Sequence, residues 1–219
     1  MKIIDLSHNI ENNMPAWPGD EPPFIQKVST HDKDKVQVSG LSMTTHSGTH
    51  IDTPRHFFQS GATTDLMDIN NFYGKGTLID CSWFGQQAEI PLDHVFNYRK
   101  RLENADFALI YTGWDRHWAK PRYFDHFPVL SVDAVRFITD CKIKGIGLDF
   151  PSIDDIGSKT YPNHNHVLGN GMIIIENLTN LSELIDEPFQ FAAFPLKIRE
   201  GDGSPVRAVA FVETNQKEN

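Results

Sequence analysis

Between positions 46 and 56 the chain places three imidazoles and a carboxylate, His46, His50, Asp52 and His56. All four stand at even-numbered positions. On an extended strand, where side chains alternate between faces, they project to one side, and Gly48 leaves a gap between the first two. A helix serves them less well, because Asp52 falls about 200° around from His50 at 3.6 residues per turn. A straight strand holds His46 and His50 roughly 13 Å apart, so the backbone is expected to bend or bulge near Gly48. Pro54 marks where ladder pairing stops or runs along an edge. Imidazole plus carboxylate is the donor mixture of zinc, manganese or iron(II). Buried without an ion or partners, such a set would leave several polar groups unpaired. Farther along, Glu176 ends the apolar run 172 to 175. A carboxylate there needs a reason to face inward; turned to water it is an ordinary strand end.

The elements that must position these groups mix many strands with a few helices. Residues 2 to 6, 24 to 29, 36 to 45, 75 to 81, 107 to 112, 146 to 150, 172 to 176, 191 to 198 and 206 to 212 read as strands. Helices are expected at 92 to 102, opening near Pro91, and at 131 to 142, where Ser131 can cap and Gly145 follows as a stop. The segment Trp17-Pro18-Gly19-Asp20 suits a type II turn, which holds Trp17 on an irregular loop as a plug over the core or as an aromatic wall. His8, at a strand end, is read as structural. The strand 107 to 112 ends in Gly113-Trp114-Asp115, where a pocket could open. Gly201-Asp202-Gly203 reads as a turn between the last two strands.

Bulk properties narrow the function classes. With 219 residues the chain builds one substantial core, and a single domain spanning 1 to 219 is expected, with a frayed tail from about 213. Twenty basic against 29 acidic residues give a net charge of -9, and no Lys/Arg run makes a nucleic-acid footprint. No window approaches the roughly 18 apolar residues of a membrane span, and the amino terminus lacks a signal-peptide core, so a cytoplasmic protein is expected. Cys81 and Cys141 read as reduced core residues.

At this point a resemblance adds to the spacing. HSGTHIDTPRHF resembles the signature of the metal-dependent cyclase superfamily that includes bacterial kynurenine formamidase and isatin hydrolase. IDLSHNIENNMPAWPGD, LIYTGWD, HNHVLGNGMIIIENLTNL and GDGSPVRAVA resemble further segments of that family, so the likeness runs from residue 3 to about 212. It implies a swivelling β/β/α fold, a mixed α/β single domain with a central barrel-like sheet, and a homodimer or homotetramer. It implies that His46, His50 and Asp52 bind a divalent metal, zinc or else manganese. Asp52 would bridge toward a second ion held by His164 and Glu176. His56 would stay free as general acid/base, and Trp17 would contact a small-molecule substrate. The spacing of twelve residues to Glu176 selects His164 over His166. The implied chemistry is attack of metal-bound hydroxide on an amide carbon, with His56 moving the proton to the departing nitrogen. The implied substrate is an aryl formamide such as N-formylkynurenine. A hydrolase of a cyclic amide such as isatin is the alternative, and a non-catalytic metal- or ligand-binding relative is the reading from another class.

Overall fold

The structure, a computed structural model, describes residues 1–86 and 88–213. The expected frayed tail beyond Glu213 lies outside them. Thirteen strands occur in chain order: β1 (Lys2–Asp5), β2 (Phe24–Ser29), β3 (Val38–Ser42), β4 (His50–Asp52), β5 (Tyr73–Asp80), β6 (Glu89–Ile90), β7 (Phe107–Tyr111), β8 (Val129–Leu130), β9 (Gly145–Leu148), β10 (Ile173–Glu176), β11 (Phe189–Ala192), β12 (Gly203–Pro205) and β13 (Val209–Val212). The α-helices are α1 (His31–Asp34), α2 (Leu92–Phe96), α3 (Arg99–Leu102), α4 (Val132–Asp140) and α5 (Pro162–Gly169).

Nine strands form one mixed sheet in the order β1-β13-β11-β5-β7-β9-β10-β4-β12. Its centre, β5 to β10, is parallel and its flanks are antiparallel. Parallel strands are buried on both faces, so they need apolar side chains in both directions. Ile79, Ala108, Ile110, Ile146, Leu148 and Ile174 point to one face, where they meet Val95, Val135, Ile138 and Val167 from the helices. Leu78, Phe107, Leu109, Ile173 and Ile175 point to the other, where they meet Ile4, Leu6, Ile51, Phe191 and Ala210. On that second side the sheet curls into a half-barrel, and Ser7 beyond β1 bridges Leu178 beyond β10. The curl depends on missing side chains in β9. A Cβ on Gly145 would lie 2.6 Å from Ile173, and one on Gly147 would lie 2.5 Å from Leu109.

The mixed α/β single-domain fold agrees with the reading above, and local elements refine it. The helix from Ser131 is α4, and the Ser131 hydroxyl accepts the Ala134 amide at 3.2 Å. The helix expected over 92 to 102 is two short helices, broken at Asn97 and Tyr98 where the Tyr98 hydroxyl turns in to the backbone of Asp80. Pro18 and Gly19 do form the expected turn: the Asp20 amide reaches the Trp17 carbonyl at 2.9 Å, and Gly19 has φ +103. Among the described residues β2 and β3 pair only with each other, and β3 stops at Ser42, so it does not run into the histidine cluster. Both cysteines are free.

Candidate metal centre

The single strand face expected for four residues carries only two of them. β4 is three residues long, and His50 and Asp52 project from it toward the helix side while Ile51 fills the curl. Strand β4 lies between β10 and β12, and its register sets His50 opposite Glu176. Glu176 shares the face of Ile174, so the alternation of one strand explains both a core contact and an inward carboxylate. His46 returns to the same place by the bend anticipated near Gly48, which has φ +66 and packs against Met14. His56 sits on a short 3-10 turn, Pro54–His56, because Pro54 ends the strand and opens that turn. His164 arrives from α5, more than a hundred positions along the chain.

Two of the histidines are aimed by their other nitrogen. His50 Nδ1 lies 2.9 Å from the Gly48 carbonyl, an oxygen that can only accept, so Nδ1 carries the hydrogen and Nε2 faces the carboxylates. His164 Nδ1 lies 2.7 Å from Asp154 Oδ2, and Asp154 also accepts the amides of Asn163 and His164 at 3.0 Å. One buried carboxylate thus caps α5 and orients its histidine. The freed His50 Nε2 stands 3.3 Å from Asp52 and 3.6 Å from Glu176. His164 Nε2 stands 3.7 Å from Asp52 and 3.6 Å from Glu176. Ligands held about 2.0–2.2 Å from one ion in tetrahedral or octahedral array lie about 3.0–3.5 Å from each other. Spacings of 3.3–3.7 Å, mostly too long for direct hydrogen bonds, lie at or slightly above that range, close to what donors to divalent cations need. Ligand atoms of His50, Asp52 and Glu176 form one compact group, and those of His46, Asp52 and His56 form another.

The electrostatics favour positive charge here. Burial opposes a charged imidazole, yet Asp52 and Asp202 raise His46 to about 10. His164 is likewise buried and is raised to about 12 by Asp154, Asp52 and Glu176. Asp52 is fully buried, but the charge of His46 beside it, then its contacts with His164 and His50, hold it well below the usual carboxylate range. Glu176 moves up, through burial and then repulsion from Asp52. His56 moves down, chiefly by burial, which keeps it neutral and able to accept a proton.

Above this floor lies a cavity of about 480 Å³. Trp17, Phe57, Trp118, Phe124 and Tyr161 line it. Phe57 stacks on His164 at 4.8 Å, and Trp17 meets Phe124 edge to face at 5.9 Å. Trp17 is thus a wall of the cavity. Trp114 is instead buried, with its indole nitrogen on the Tyr123 carbonyl, and Phe58 packs against the core. At the end of β7 the amides of Thr112 and Gly113 bind the buried Asp149 carboxylate. His166 bonds Thr139 at 2.8 Å, away from the centre.

Asp154 and Asp202 escaped the sequence reading. Asp202 Oδ2 lies 3.0 Å from His46 Nε2 and 3.7 Å from His56 Nδ1. The Gly201-Asp202-Gly203 run carried the only sequence signal, and it read as a turn.

A curled mixed sheet with histidine and carboxylate donors at the base of an aromatic cavity defines a metal-dependent type of site. Comparison with known proteins gives the family. The cyclase family model matches residues 4–155. Kynurenine formamidase of Bacillus mycoides (strain KBAB4) is 33% identical over 208 residues, 94% of this chain and 95% of that one. Isatin hydrolase A from Labrenzia aggregata superposes with a TM-score of 0.85 at 24% identity, over 95% of this chain and 93% of the other. A predicted metal-dependent hydrolase from Bacillus stearothermophilus gives a TM-score of 0.77 at 25% identity, over 95% and 97%. The chain belongs to the cyclase family.

Proposed function

We propose that this protein is a metal-dependent amidohydrolase that cleaves the carbon–nitrogen bond of a small aryl formamide such as N-formylkynurenine. One observation carries this reading: His50, Asp52, His164 and Glu176 converge at the base of an aromatic cavity, with His56 beside them. The relatives called kynurenine formamidase support the substrate class. In this reading His46, His50 and Asp52 hold one divalent ion, and Asp52, His164 and Glu176 serve a second where two are bound. Zinc suits that donor mixture, and manganese is the alternative. The bound ion supplies Lewis acidity toward the amide oxygen and toward water.

The chain's own groups do the rest. Trp17, with the other aromatic walls, holds the planar ring and keeps water from it. The Asp202 carboxylate, 3.7 Å from His56 Nδ1, favours the hydrogen on that nitrogen by its charge, so Nε2 is assigned the proton of the attacking water. The same atom returns that proton to the departing nitrogen as the carbon–nitrogen bond breaks, which releases formate and an aryl amine. No helix among the described residues is long and apolar enough to cross a membrane. With both cysteines free, a cytoplasmic homodimer or homotetramer completes the proposal. The test is a panel of N-formylkynurenine, formanilide and isatin with metal-loaded protein. Turnover of the two formamides is expected. Turnover of isatin alone moves the assignment to cyclic amides, and no turnover with metal bound contradicts the enzyme.

A further inference from the structure

The Gly201-Asp202-Gly203 run does more than turn the chain into β12. A Cβ on Gly201 would lie 2.4 Å from Thr64 Oγ1, and one on Gly203 would lie 2.7 Å from both His46 Cε1 and the Ile51 carbonyl. Both flanking positions therefore press against their neighbours where no side chain fits. Asp202 is pinned between them. Its carbonyl accepts the amide and the hydroxyl of Thr53, each at 3.0 Å, and its Oδ1 accepts the Thr45 hydroxyl at 3.0 Å. The remaining oxygen, Oδ2, faces His46 Nε2 and His56 Nδ1, whose rings lie 4.0 Å apart. A surface carboxylate free to follow solvent would carry no such set of restraints.

We infer that Asp202 is a positioning residue serving two histidines at once. By accepting from Nε2 it turns His46 so that Nδ1 meets Asp52, 2.7 Å away, on the side where the cation donors gather. The same Asp202 oxygen lies 3.7 Å from His56 Nδ1, beyond direct hydrogen-bond reach, and its charge favours the hydrogen on that nitrogen, which leaves His56 Nε2 for the cavity. The first role is the carboxylate–histidine arrangement that fixes a ligand's tautomer and typically governs metal affinity about 10–100-fold. The second links the grip on the ion to the orientation of the proton carrier, and it rests on the function proposed above.

The experiment compares wild type with Asp202→Asn, His56→Ala and the double variant, each as holoenzyme. Zinc retention is read against a graded chelator, and kcat and KM are read with N-formylkynurenine. Asp202→Asn keeps the Thr53 bonds to the backbone; Thr45→Val, which frees Oδ1 without touching either histidine, is the second variant and should change retention and kcat in the same direction. Asp202→Asn is expected to weaken zinc retention about tenfold or more. At saturating zinc it is expected to lower kcat about tenfold with KM within about twofold, and to lower it no further in the His56→Ala background. Unchanged zinc retention overturns the inference, as does a kcat loss that persists in full without His56. Wild-type turnover by His56→Ala overturns the proposed function instead, and leaves the zinc arm to decide the role of Asp202 toward His46.

Discussion

His50 and His164 come from distant parts of the chain yet are oriented in the same way. Each gives Nδ1 to a fixed oxygen, Gly48 carbonyl or Asp154 carboxylate, and turns Nε2 to Asp52 and Glu176. His56 has no such tie to the carboxylates of the inner group, and burial shifts it toward its neutral form. Its replacement by Ala should therefore leave bound metal unchanged while kcat falls about 10²–10⁴-fold; elemental analysis beside turnover checks this, and unchanged turnover contradicts it. A different histidine contributes to acid sensitivity. His8 stacks on Trp118 at 4.0 Å, its Nε2 has no partner among the described residues, and burial lowers it from 6.5 to about 4. Between those values the unfolded chain binds the proton first, so the contribution of His8 to stability should fall as pH drops from 6.5 to about 4. His8→Phe keeps the stack and removes the proton. Urea midpoints at pH 7 and pH 5 should then differ less for the variant than for wild type, and equal differences would contradict the account. The candidate donors His46, His50, Asp52 and His56 were legible from their clustering, and His164 with Glu176 through the family resemblance, but Asp154 and Asp202 were not. An acid that aims a histidine has no preferred spacing from it.

At the scale of elements, the site is carried by pieces too short or too polar for periodicity to reveal. β4 has three residues, and α5 has only Val167 and Leu168 as buried apolar contacts in its eight. Asp154 at its first turn and packing on α4 hold α5 in place, and neither shows as a hydrophobic repeat. The Gly48 bend was legible because a straight strand could not bring His46 back to His50. With φ +66 and Met14 Cε 2.9 Å from where a Cβ would sit, Gly48→Ala should cost about 1 kcal/mol or more. It should also loosen the metal by displacing His46. Denaturant unfolding and chelator competition read both, and an unchanged midpoint would contradict the strain.

For the whole molecule, the mixed α/β class followed from the order of strands and helices, whereas the curl did not. It rests on Gly145 and Gly147 lying beneath Ile173 and Leu109, contacts that exist only once three strands are assembled. The same assembly brings residues 46 to 56 to residues 164 to 202, so folding has to precede any chemistry at the centre. In the proposed function, activity therefore depends on a divalent ion held between these segments. The direct measurement is hydrolysis of N-formylkynurenine by chelator-stripped protein as zinc or manganese is returned in steps. The expected result is no turnover in stripped protein and a rise that saturates between one and two equivalents per chain. Full turnover by stripped protein would contradict the account.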